Sequence, residues 1–260
     1  MHTAIGITTN ARYQNLMDAE SIITLKDLLN DPKGFDDHLQ RYVYGVISRA
    51  FFGIEIKSAN DAFVVENEAF ILEAMDGFRP DKYPVNVFPF LKYLPSWALS
   101  SLSKMEQLRH QDTTRRKHLH RQVEEIIKQQ PDTQNTFKHF LQNRDEYEVS
   151  DKEADSAFYT LLSGGTRSTH NALLGFLHLM MVHPDWQEKL HVEIDGVVGS
   201  GRLPTWSDLP NLPVVRAIVK EVIRYRSITA ELGLPHLLEE DDVYEGHFFE
   251  KGTVFHAYYG

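Results

Sequence analysis

Apolar positions recur every three to four residues along most of the chain, which predicts helices separated by proline and glycine turns. Leu16, Ile22, Ile23, Leu25, Leu28 and Leu29 share helical spacing over 13–29, and Asp31-Pro32 ends that run. Leu39, Val43, Ile47 and Phe51 form one stripe over 35–52, with Gly53 as the stop. A third helix is predicted over 61–77, ending before Arg79-Pro80. The pattern then breaks: Tyr83-Pro84, Phe88-Pro89-Phe90, Tyr93-Leu94-Pro95 and Trp97 forbid a continuous helix and predict a buried, irregular aromatic connection. Leu108, Leu119, Val123, Ile126 and Ile127 give a long polar helix over 103–129 its apolar seam. A short helix over 136–142 and a charged loop over 143–150 follow.

The most informative helix starts at Ser150-Asp151-Lys152-Glu153, a capping box with Ser150 as N-cap and Glu153 three residues on. Helical spacing then continues through Leu161, Leu162, Leu173, Leu174, Leu177 and Met181 to His183-Pro184. That is roughly thirty residues, beyond the usual globular length. Its centre reads Ser163-Gly164-Gly165-Thr166-Arg167-Ser168-Thr169. Two glycines there cost about 1 kcal/mol each relative to Ala, and the hydroxyls can bond back to backbone carbonyls. Stability given up at a helix centre points to a bulge or to close approach by something flat. The Gly-Gly-Thr segment is not a phosphate loop, since it lacks a Lys and lies within a helix. Further helices are predicted over 186–197 and 214–226. Short strands are predicted at Val243–Phe249 and Thr253–Tyr258.

Composition narrows the function. Hydrophobic residues at 42% and charged residues at 25% suffice for a packed core and argue against disorder. A net charge of -10 opposes non-specific nucleic-acid binding, which needs a basic face. The run Arg115-Arg116-Lys117-His118 is the local exception and reads first as a solvated helix face. The chain has no cysteine, which excludes a disulfide framework, a thiolate metal site and a Cys–His catalytic pair. His118 and His120 lie two apart, so they do not share a helix face, and no metal site is expected. The segment 1–9 lacks the pattern of a signal peptide, and no run approaches the roughly 18 apolar residues of a membrane span. A soluble, cytoplasmic chain without a membrane anchor is the expectation.

Glu221 and Arg224 lie three apart on one helix face, weak evidence when taken alone. Their place in an ordered series carries more. Gly-Gly-Thr-x-Ser-Thr on the long helix is followed by His183-Pro184-Asp185-Trp186, Leu209-Pro210-Asn211-Leu212 and Glu221-Val222-Ile223-Arg224. Gly233-Leu234-Pro235-His236, Asp242-Val243-Tyr244 and Lys251-Gly252-Thr253 complete it. This series resembles the cytochrome P-450 superfamily of haem-thiolate monooxygenases, above all its fungal microsomal members. The resemblance is highly specific over 150–259 and weaker over 13–97, where Glu20, Leu28–Pro32 and Phe88–Pro95 carry it.

The resemblance implies a mainly α fold: a single partial cytochrome P-450 domain over 1–260, with a central long helix, surrounding helices and short C-terminal β segments. Gly164 and Gly165 match the family's small positions where haem and oxygen lie against the helix. The family's relay acid and alcohol fall on Arg167 and Ser168, with Thr169 as an alternative alcohol. A guanidinium stays protonated and cannot relay a proton. Glu221 and Arg224 match the family's structural pair, and His236 matches a propionate contact. Phe158, Leu161 and Leu162 are expected to line a substrate pocket, where Arg167 could polarise a carbonyl.

The cysteine loop of the family has no counterpart in this chain, which reads as the middle of the fold without its two ends. Haem is the family's cofactor, and none is expected to be held by this chain. A truncated protein unable to act as a haem monooxygenase is therefore the leading expectation. The family's monooxygenase activity in secondary metabolism, and a haem-free cyclase or isomerase, stand as alternatives. The implied partners are a small lipophilic metabolite and, in full-length relatives anchored to the endoplasmic reticulum, a reductase.

Overall fold

The structure is a computed structural model that describes residues 10–77, 79, 81–147, 149–225 and 236–257. Gly233–Pro235, Arg226 and Tyr258, which enter the sequence motifs and elements above, lie outside the described residues, as does the segment 1–9. The chain forms two compact units, residues 1–167 and 168–260. The division falls inside the long helix.

In the first unit, α1 (Asn10–Asn30) and α2 (Phe35–Phe52) are joined by a single 3-10 turn, Pro32–Gly34. Asp36 and Asp37 sit in the first turn of α2, where acidic groups favour the helix dipole. Gly53 ends it at φ 73, and its N–H closes on Ser48 and Arg49 carbonyls. A buried ionic cluster pins α1 to α2. Arg41 Nη1 donates to Glu20 Oε2 at 2.7 Å and Nη2 to Thr24 Oγ1 at 2.8 Å, while Arg49 Nη1 reaches Glu20 Oε1 at 3.3 Å. Glu20 and Arg41 are nearly inaccessible, so loss of either would strand a buried charge.

Helix α3 (Ala62–Asp76) is capped by Asp61, whose carboxylate accepts the Phe63 N–H at 2.9 Å. The proline–aromatic segment folds into three 3-10 turns, Pro84–Asn86, Pro89–Tyr93 and Ser96–Ala98. Irregular backbone was expected here, but burial was not what formed. Tyr83 is buried, whereas Phe90, Tyr93 and Trp97 are 66%, 80% and 86% exposed. Prolines at 84, 89 and 95 interrupt the backbone before a helix can form that would turn one side of these rings inward.

Helices α4 (Ser100–Gln129) and α5 (Thr136–Gln142) follow, the latter capped by Asn135, which accepts the Lys138 N–H at 2.8 Å. Helix α6 spans Asp151–Val182. Its capping box is formed: the Ser150 N–H donates to Glu153 Oε2 at 2.8 Å, and the Glu153 N–H reaches Ser150 Oγ at 3.4 Å. The helix stays α-helical through both glycines, with no bulge.

The core of the first unit is aromatic. Phe158 of α6 meets Phe137 and Phe140 of α5 at 4.8 and 5.8 Å between ring centres, and Phe52 of α2 at 6.2 Å. Val64, Val123 and Leu162 close around them with no exposed surface.

In the second unit, the end of α6, α7 (Pro184–Val198) and α8 (Pro213–Tyr225) form a small core from Leu179, Met180, Leu190, Ile218 and Val222. Glu193 of α7 receives the Val214 and Val215 N–H groups at 2.8 and 3.0 Å, satisfying donors at the start of α8. The connecting loop is clipped by Arg202, which donates twice to Asp208 at 2.7 Å and holds that carboxyl well below its ordinary range. Strand β1 (His236–Leu237) pairs antiparallel with β4 (Val254–Phe255), and β2 (Asp242–Tyr244) with β3 (His247–Phe249). The β2–β3 turn places Glu245 at φ 49 and Gly246 at φ 82, the left-handed pair that suits the twist of a tight hairpin. A mainly α fold with short antiparallel strand pairs is thus what the described residues form, as expected from the sequence.

Candidate functional site

The centre of α6 carries the residues singled out in the sequence. The two glycines face different surroundings. A Cβ built on Gly165 would stand 2.7 Å from Ile47 Cδ1, so this glycine lets α2 pack closely against α6. A Cβ built on Gly164 would meet nothing within 4 Å. The close approach inferred from the double glycine therefore has an aliphatic side chain as its partner at Gly165, while Gly164 borders open space.

The hydroxyls around them serve the helix itself. Ser163 Oγ donates to the Tyr159 carbonyl at 3.1 Å, and buried Thr166 Oγ1 to the Leu162 carbonyl at 2.9 Å. One further bond ties α6 to α3: Tyr159 donates to Asn67 Oδ1 at 3.2 Å, while Asn67 Nδ2 donates within α3 to the Phe63 carbonyl at 2.6 Å.

Arg167 is engaged. Its Nη1 donates to Glu68 Oε2 on α3. The other oxygen of Glu68 accepts the Tyr44 hydroxyl at 2.9 Å. Glu68 is nearly buried and Arg167 partly exposed, 13% and 38% by side chain. Burial of the Tyr44 phenol and the negative charge of Glu68 beside it push that hydroxyl far above its ordinary range. The cation on α6 thus takes its carboxylate partner from another helix. Glu68 was not singled out in the sequence. Among the surrounding acids of 66–73 it carries no distinguishing pattern, and only the fold brings it to Arg167 and Tyr44.

The remaining sequence candidates are placed as follows. Phe158 and Leu162 belong to the packed core, and Leu161 is partly buried at its edge. Ser168, half-buried, and Thr169, exposed, follow on the next turn of α6. Glu221 and Arg224 form a two-point pair: Arg224 Nε and Nη2 donate to the Glu221 carboxylate at 2.8 and 2.6 Å, lowering the carboxyl pKa. Both side chains are solvent-exposed, 53% and 69%. His236 lies exposed on β1 opposite Phe255. Among the described residues no group of three or more His, Cys, Asp or Glu is placed to share a metal ion. Among them too, no helix is long and apolar enough to cross a membrane.

The described residues thus form a mainly α scaffold built around the long helix α6, with short antiparallel strand pairs. The sequence pattern of the family described as Cytochrome P450 matches residues 8–259, and the chain belongs to that family. It is 48% identical over 257 residues to "Cytochrome P450 monooxygenase psoD" of Aspergillus fumigatus, covering 99% of this chain and 50% of that protein. "Cytochrome P450 monooxygenase COX2" of Coprinopsis cinerea is 32% identical, with 97% and 49% covered. "Cytochrome P450 monooxygenase polD" of Polytolypa hystricis is 30% identical, with 97% and 49% covered. The chain therefore spans about half the length of the curated relatives it matches.

Haem is the family's cofactor. Gly164 leaves room for a flat group beside α6, but the 260 residues include no cysteine to bind its iron as thiolate. The residues present offer a wall and no thiolate ligand, so they do not make a complete site for the group.

Proposed function

We propose that this chain is the helical scaffold of a cytochrome P450 and does not by itself carry out haem-thiolate monooxygenation. One observation carries the reading: a chain matched to the family over residues 8–259 contains no cysteine. Arg167 adds to it. Held by Glu68, its guanidinium offers hydrogen-bond donors and no acceptor, so it cannot take up a proton and pass it onward. The substrate class of the complete relatives, small lipophilic metabolites oxidised with electrons from a reductase, would belong to this chain only as part of such an assembly. The haem-free cyclase or isomerase receives less support, because Phe158 and Leu162 are filled into the core and Arg167 already has a carboxylate partner.

The test is an absorption spectrum of the purified chain after addition of haem, reduced and exposed to carbon monoxide. The expected result is no thiolate-type Soret band. A thiolate-type band from the purified chain alone, with no other polypeptide present, would overturn the reading.

A further inference from the structure

The second unit carries two apolar surfaces that nothing among the described residues covers. On α8, Ile218 and Val222 share the small core with Leu190. The next row of the same helix, Val219 and Ile223, is 55% and 51% exposed. The apolar arc of α8 is thus wider than its neighbours cover. The strand pairs are the other surface. Each is a two-stranded ribbon of two or three residues per strand, and Leu237, Val243, Tyr244, Phe248 and Val254 lie more than half exposed on them. Ribbons this small are stable only against a further layer.

The open area is of the size a partner needs. With about 100 Å² still exposed on each of these seven side chains, they approach the roughly 800 Å² that each partner contributes to a stable interface. Scattered single apolar residues would carry no such meaning, but neighbours on one helix face and on paired strands do.

Two findings select the occupant. This chain covers 50% and 49% of the relatives from Aspergillus fumigatus and Coprinopsis cinerea, so each of them has about as much polypeptide again. The 260 residues also include no cysteine, and a second copy would cover the surface without bringing one. We propose that the open face of α8 and the strand ribbons dock a second polypeptide, the cysteine-bearing part of a cytochrome P450 that this chain does not match, and that the haem-thiolate site is completed in trans. The proposal rests on the reading that this chain alone makes no such site.

The experiment mixes this chain with the part of the 48% identical Aspergillus fumigatus relative that follows its match to this chain. Light scattering should show a complex of one copy of each, with amide exchange slowed in α8 and in the four strands. With haem, reductant and carbon monoxide, the complex should give a thiolate-type Soret band. Val219→Gln with Ile223→Gln, and Val243→Thr with Phe248→Thr, should each weaken the complex about ten-fold or more. All four side chains are exposed, so the lone chain should keep its fold, as circular dichroism would check. The control Phe90→Gln with Trp97→Gln removes exposed aromatic surface from the first unit and should leave affinity within about two-fold. No complex, a pair of two copies of this chain in its place, equal weakening by the control, or a complex without the thiolate-type band would each overturn the docking proposal alone. A thiolate-type band from this chain by itself would overturn both the proposal and the reading beneath it.

Discussion

The two units spend their apolar residues differently. In the first, five segments converge on one aromatic cluster in which Phe52, Phe137, Phe158 and Leu162 are almost wholly buried. The second gathers five residues from three helices, and its strands leave Leu237, Val243, Tyr244, Phe248 and Val254 more than half exposed. A helix or a two-stranded ribbon buries apolar surface only where another layer covers it. The first unit thus contains the layers its side chains need, whereas the strands of the second display theirs. Local stability should follow that difference.

The largest effect is expected in the aromatic core. Phe137 is 2% exposed and touches four other rings, those of Phe52, His120, Phe140 and Phe158. Phe137→Ala should destabilise the first unit by about 3–5 kcal/mol, read as a lower denaturant midpoint. Next comes the core of the second unit. Leu190→Ala should cost about 2–3 kcal/mol, near the lower end for such truncations, because few neighbours surround it. Amide exchange should then quicken within 184–225 and stay slow in α2, α5 and the first half of α6. Equal quickening in both units would break the comparison and make the chain one cooperative body.

Alkaline pH sharpens the contrast by acting on the first unit. Tyr44 and Tyr159 are held protonated above their ordinary range, first of all by burial. In the unfolded chain these phenols ionise near pH 10.0, whereas the folded chain still keeps their protons. The unfolded state then binds fewer protons, so stability is fully present below about pH 10 and falls as pH rises beyond it. Tyr44→Phe should lose about 1 kcal/mol at neutral pH with its bond to Glu68, and should flatten the alkaline fall. A chevron or melting series across that range reads both. An unchanged alkaline slope would mean that Tyr44 is not the group responsible.

Much of this was legible in the sequence where the cause is local. Gly53 and the Ser150–Glu153 box mark helix ends because a cap acts within one turn, and each acts as expected. The double glycine was legible as an anomaly but not in its cause, since Ile47 reaches Gly165 only through tertiary packing. Glu68 was illegible for the same reason: its partners Tyr44 and Arg167 lie on two other helices. The proline–aromatic segment misled because rings and prolines read alike whether a surface covers them or not.

The smallest effects come from the glycine pair, and they bear on the candidate site directly. Helix propensity alone favours Ala over Gly by about 1 kcal/mol at either position. At Gly164 nothing opposes that gain, since an added methyl meets no atom within 4 Å. Gly164→Ala should therefore stabilise the chain by about 0.5–1 kcal/mol. At Gly165 the same methyl meets Ile47 Cδ1 at 2.7 Å. The Ile side chain must shift within a packed core, and that overpacking costs about 1 kcal/mol or more. Gly165→Ala should thus be neutral to destabilising. Pairing it with Ile47→Val removes the clashing Cδ1 and should recover the propensity gain, minus the lost methyl. Thermal melts of the four variants form a double-mutant cycle whose coupling term isolates the contact. If Gly164→Ala destabilises the chain as much as Gly165→Ala does, Gly164 does not border open space, and the room for a flat group beside α6 disappears with it.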